Sequence, residues 1–296
     1  MPMLPRPVAP FAVALALATT LAAAAPATAE GGATGTYALS PETVLTIVDA
    51  VAFRRLAWDG EQVVVLLATA PLDRAKWSAT LDPAGLAEAY EDEETWVELE
   101  YQPDGTWTAS RYGLRYEGGY TSGMSFEPAA AEGMKAVVGD DRVDGKLRAS
   151  FGDGGAVDLT VAAPLLTPGG EALPADGGEA GAAARACNAA FAARDLPAVE
   201  RSCEEHTAGV IDSALRMRGE GFEMEDPWTP AGASECTVAA LSGLVVTGGV
   251  ARGDEARLEA SGGWTDDQRC AGPVFLRREG GRWRVTRSAL ALVQQP

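Results

Sequence analysis

The side chains able to do nucleophilic or acid–base chemistry are few in kind and scattered. His206 is the only histidine in 296 residues, so a Ser–His or Cys–His nucleophile pair would have to use it. It follows Glu204 and Glu205 in a helical stretch with no nucleophile motif beside it, and reads as a partly exposed structural residue. Acid–base work would then fall to carboxylates, and nothing in the pattern singles out a pair among 42 Asp and Glu. The run Glu88, Glu91, Asp92, Glu93, Glu94 lacks the alternating ligands and turn glycine of a calcium loop and reads as solvated. Asp140, Asp141, Asp144 and Gly145 come nearer, but Arg142 takes the third ligand position and Phe151 the twelfth, which leaves a charged hairpin. Arg252-Gly253-Asp254 spells an adhesion tripeptide within turn chemistry. No catalytic, metal-ligating or cofactor-binding residue is assigned, and no cofactor is expected.

The residues with a definite covalent role are Cys187, Cys203, Cys236 and Cys270, all in the last part of the chain. Cys187 and Cys203 each stand eight residues from Asp195, the expected tip of a helical hairpin, so both thiols should enter the helix–helix seam. Cys236 and Cys270 fall at one end of an expected antiparallel sheet. Two disulfides, Cys187–Cys203 and Cys236–Cys270, are therefore expected. A zinc site is disfavoured because no C-x₂-C pair places two ligands on one knuckle.

An oxidising compartment fits the start of the chain. One arginine, an almost wholly apolar stretch from Phe11 to Ala25, and Pro26-Ala27-Thr28-Ala29 with its A-x-A pattern read as a signal peptide over 1–29. The apolar run is shorter than the roughly 20 residues of a spanning helix, and no cysteine follows it to carry a lipid. The formal charge of −18 becomes −19 when Arg6 leaves. Such a potential repels phosphate backbones and anionic headgroups, so nucleic acid is excluded as a partner and no membrane insertion is expected after signal removal. The expected location is periplasmic or extracellular.

Composition then divides the mature chain. Between 164 and 181 the sequence is rich in Pro, Gly and Ala without apolar periodicity and reads as a flexible linker. Before it, residues 30–163 carry strand signals separated by turns such as Gln102-Pro103-Asp104-Gly105, which predicts an all-β, sandwich-like domain. Val97, Leu99 and Tyr101 alternate with Glu98 and Glu100, the mark of a strand with one buried and one wet face. A helical turn or two is expected near Pro83 to Tyr90. After the linker, 182–296 reads as helices first (182–193 and 197–216) and strands after, an α+β domain with a helical pair on a curved antiparallel sheet.

This order, with Arg194-Asp195-Leu196 at the helical turn, Gly253-Asp254-Glu255-Ala256 at a strand entry and Gly281-Arg282-Trp283-Arg284-Val285 in the last strand, resembles the bacterial secreted branch of the nuclear-transport-factor-two-like (cystatin-like) families. The resemblance covers the C-terminal part only and implies a cone-shaped fold. It implies no activity, since that fold hosts enzymes, binding proteins and inert modules. The N-terminal part resembles β-rich domains of secreted proteins to which no residue role can be carried. The reading that follows is an exported, non-enzymatic binding module for a protein or small ligand at the cell envelope. Its rivals are a hydrolase or isomerase using a carboxylate in the cone, and a structural spacer or docking module.

Overall fold

Turn residues cut the first half of the chain into short strands whose alternation decides which way each faces. In the computed structural model, described for residues 32–57, 60–125, 128–151, 154–223, 226–228, 236–265 and 268–293, these are β1 (Gly32–Ala38), β2 (Val44–Ile47), β3 (Asp49–Ala57) and β4 (Gly60–Ala68). Helices α1 (Arg74–Ala79) and α2 (Pro83–Glu91) follow. Next come β5 (Trp96–Tyr101), β6 (Trp107–Tyr116), β7 (Gly119–Ser125), β8 (Val137–Val138), β9 (Arg142–Ser150) and β10 (Ala156–Leu166). The leader read at 1–29 lies outside the described residues.

β10 joins two half-sheets. Its first part runs antiparallel between β1 and β9, while Leu165 and Leu166 pair in parallel with Ala52 and Phe53 of β3. Pro164, with no N–H to give, stands where β10 leaves β9. The resulting ten-stranded sheet runs β2-β1-β10-β3-β4-β5-β6-β7, with β9 and β8 branching from β10. Tyr37, Leu147, Leu159 and Val161 of one half meet Val63, Val65, Leu67, Val97 and Leu99 of the other in a single core. This part is strand-rich, as expected, and its strands form one continuous sheet.

The same strands are buried on their second face. Val64, Leu66 and Ala68 of β4 and Val51 and Phe53 of β3 pack with Trp77 of α1 and Ala87 of α2. A strand covered on both sides loses its alternation, which is why Val63–Ala68 is apolar without a break. α2 is started by Asp82, whose side chain accepts from the Gly85 amide at 2.9 Å, with Pro83 in the first turn.

The last part of the chain contains β11 (Glu171–Ala172), α3 (Gly178–Ala192), α4 (Leu196–Ser202) and α5 (Glu205–Gly219), then β12 (Ser242–Arg252), β13 (Glu255–Thr265), β14 (Gln268–Glu279), β15 (Arg282–Ser288) and β16 (Ala291–Val293). The strands form a second, antiparallel sheet in the order β11-β12-β13-β14-β15, with β16 also on β14. Ala184, Phe191, Val199 and Ile211 of the helices pack on Ala256, Leu258, Val274, Leu276 and Val285 of the sheet. Three helices stand where a helical pair was expected.

Two details differ from the expectation. The helix read over 197–216 is broken at Cys203, whose backbone is extended (ψ 178°) and whose carbonyl accepts from Arg284 Nε at 3.1 Å. A tertiary partner on β15 outweighs local helix propensity there. The stretch 164–181, read as a flexible linker, carries the end of β10, all of β11 and the first turn of α3. Glu171 and Ala172 pair with Ala251 and Val250 on the edge of β12, so backbone pairing orders a segment whose composition shows no apolar period. The described parts of Gly31–Pro296 belong to one compact unit.

Cys187 is bonded to Cys203 and Cys236 to Cys270, with Cα separations of 5.0 and 6.2 Å. The first ties α3 to the end of α4, and the second ties the entry to β12 to β14. Their closed loops span 16 and 34 residues, each worth about 3 to 4 kcal/mol in the chain-entropy account. Replacing Cys236 and Cys270 together by Ser is expected to lower the unfolding free energy by about 3 kcal/mol in urea titration; a change under about 1 kcal/mol would show that the bridge constrains little.

Candidate functional site

α1 and α2 lie between the two sheets, and the space left beside them is the candidate site. One cavity of about 460 Å³ is lined from the first sheet by Arg54, Arg55, Leu56 and Glu61, from the helical layer by Leu81, Asp82, Pro83 and Glu88, and from the second sheet by Arg257, Glu259, Phe275 and Arg287. Leu166, Pro168 and Leu290 complete its apolar wall. A more open hollow of about 590 Å³ shares Leu81, Asp82, Glu88, Phe275 and Arg287 with it and adds Lys76, Glu255 and Arg277.

The shared residues are held as a clamp. Arg287 Nη1 donates to both Asp82 carboxylate oxygens at 2.7 and 2.6 Å, and its Nη2 donates to Glu88 Oε1 at 2.5 Å. Its guanidinium also lies 5.6 Å from the centre of the Phe275 ring. Thus one arginine of the second sheet grips the N-cap and second turn of α2. Gly85 must be glycine for this, since a Cβ there would stand 2.3 Å from Asp82 Oδ2 and 3.0 Å from Arg287 Nη1. Arg252 makes a second crossing, donating to the Ala79 carbonyl at 2.6 Å and to the Gly169 carbonyl. The arginine of the Arg252-Gly253-Asp254 turn is thereby spent inside the molecule.

Strand pairing lines up the floor of the cavity. Arg257 of β13 is paired with Phe275 of β14, which is paired with Arg287 of β15. Leu258 and Ala256 turn to the helices on the other face, so the alternation of Arg257 and Glu259 with Leu258 and Ala260 is the signal that this face is polar. What it faces, the α2 layer, has no signal in the local sequence. Arg257 Nη2 lies 3.0 Å from Glu259 Oε1. Its Nε is buried and, among the described residues, has no hydrogen-bond partner.

At the edge of the cavity Arg55 reaches under α2 to a carboxylate group that the alternation of β5 had placed in water. Glu98 is only 1% exposed, because the helical layer covers that face of the sheet. Its carboxylate is met by Arg55 at 3.4 Å and by Arg111, its cross-strand neighbour, at 3.3 Å. Arg55 also holds Glu100 at 2.7 Å. Glu91, the last residue of α2, comes down on Glu98. Burial, then the Glu98 charge and the hydrogen bond between the two carboxyls, push Glu91 up to about 8, against the opposing pull of Arg111 and Arg55. Glu91 therefore keeps its proton at neutral pH.

Of the residues weighed in the sequence, His206 is exposed on α5 and contributes nothing to this cavity. Glu204, its neighbour, is buried and accepts from the Ser288 hydroxyl, which in turn accepts from the Val238 amide at 3.1 Å. Asp140, Asp141 and Asp144 lie at the β8–β9 hairpin as expected. Trp283 is partly buried under Arg278, 4.5 Å from the centre of its ring, and Trp228 packs on Phe191 at 5.6 Å. No helix among the described residues is long and apolar enough to cross a membrane. Comparison with protein-family models, curated proteins and solved structures finds no match.

The Glu91–Glu98 contact makes stability depend on pH in a fixed direction. A carboxyl whose folded value is raised favours the fold in its protonated form, so its contribution is complete below the usual carboxylate range and is lost as pH rises through about 8. The urea midpoint should therefore fall between about pH 5 and pH 9, and Glu91→Gln should flatten that fall. An unchanged profile in the Gln variant would mean that Glu91 does not carry this pH dependence.

Proposed function

We propose that this chain is an exported, non-catalytic binding protein whose ligand site is the cavity between the sheets. The A-x-A leader and two disulfides support export to the periplasm or beyond. The site lies on the face of the second sheet away from its helices. The observation that carries the reading is the cavity itself: about 460 Å³, walled by apolar side chains and a few fixed charged groups contributed from three layers, the makeup of small-molecule sites in general. Each acid lining it is held by an arginine, Asp82 and Glu88 by Arg287, Glu61 by Arg54 and Glu259 by Arg257. That favours holding a ligand over converting one.

Anilinonaphthalene sulfonate, an apolar dye with one anionic group, tests this. The mature protein is expected to bind it at one saturable site with enhanced fluorescence. Ala289→Trp, which fills the cavity from the loop between β15 and β16, should abolish that signal while the circular dichroism and both disulfides stay intact. Dye binding that is indifferent to this substitution would place the site elsewhere.

A further inference from the structure

The distribution of hydrogen-bond capacity on the cavity wall defines the kind of ligand it takes. Each wall carboxylate already has a guanidinium: Glu61 has Arg54, Glu259 has Arg257, and Asp82 with Glu88 has Arg287. A guanidinium carries five N–H donors, and these arginines use only some of theirs on the acids. The surplus on the wall is thus in donors. Arg257 lines the cavity and gives Nη2 to Glu259 at 3.0 Å, while its Nε lies enclosed within the wall. Phe275, paired with Arg257 across β13 and β14, supplies an apolar surface beside it, and Leu56, Leu166 and Leu290 supply the rest.

Resting on the proposed reading of the cavity as a ligand site, we infer that its occupant is a small amphipathic organic acid. Its carboxylate accepts from Arg257, and its hydrocarbon body lies against Phe275 and the three leucines. A cationic ligand finds no acid to spare. A bare inorganic anion leaves the apolar wall without a partner.

Displacement of the bound dye by octanoate and by octanol, which share a hydrocarbon body and differ in the head group, tests this. A charge-assisted hydrogen bond corresponds to roughly 10- to 100-fold in affinity, so octanoate should displace the dye at least about 10-fold more tightly than octanol. In Arg257→Gln the difference should collapse toward unity with octanol unchanged. The wild-type ratio decides by itself if that variant does not fold. Equal displacement by the two, with dye binding still abolished by Ala289→Trp, would overturn the organic-acid assignment and leave the cavity reading standing. Dye binding that survives Ala289→Trp would remove the cavity reading, and this inference with it.

Discussion

The second face of the β3–β4–β5 sheet has to be covered, and most of the molecule follows from how that is done. Phe53, Val64, Leu66 and Trp96 would otherwise present an apolar surface opposite a core that is already filled. The chain meets this by placing α1 and α2 directly after β4. Burying side chains of that size is worth roughly 1.5–3 kcal/mol each, far more than the short helices gain from their own hydrogen bonds. The helices are therefore held by the sheet, since segments of six and nine residues would not persist alone.

Once fixed there, the layer creates two polar consequences. It removes Glu98 from water, so that Arg55, Arg111 and the raised carboxyl of Glu91 must compensate. It also turns Asp82 and Glu88 toward the second sheet, where Arg287 takes both. The clamp and the cavity beside it have one origin: the helices and the facing side of the second sheet do not fill the space between them, and a few long side chains span it.

Much of this was legible in the chain and some was not. The alternation of Val97, Leu99 and Tyr101 with Glu98 and Glu100 identified β5 and its two faces, and Leu258 and Ala260 against Arg257 and Glu259 did the same for β13. Period alone reports that a face is polar. It does not distinguish water from a covered surface whose charges are paired, and Glu98 is where that distinction fails. The Cys187–Cys203 pair was readable because both cysteines stand eight residues from Asp195 at the turn between α3 and α4. The break at Cys203 and the order in 164–181 were not readable, because each depends on a distant partner, Arg284 in one case and the β12 edge in the other. The cavity residues were hidden for the same reason: Asp82 and Arg287 are 205 positions apart and share no motif.

The account stands on the claim that Arg287 and Asp82 hold the two sheets together across α2. A double-mutant cycle with Arg287→Ala and Asp82→Ala, read by urea unfolding, isolates that contact from the separate loss of the α2 N-cap. A paired, partly buried clamp predicts a coupling energy of about 1 kcal/mol or more. Strictly additive effects of the two substitutions would contradict it.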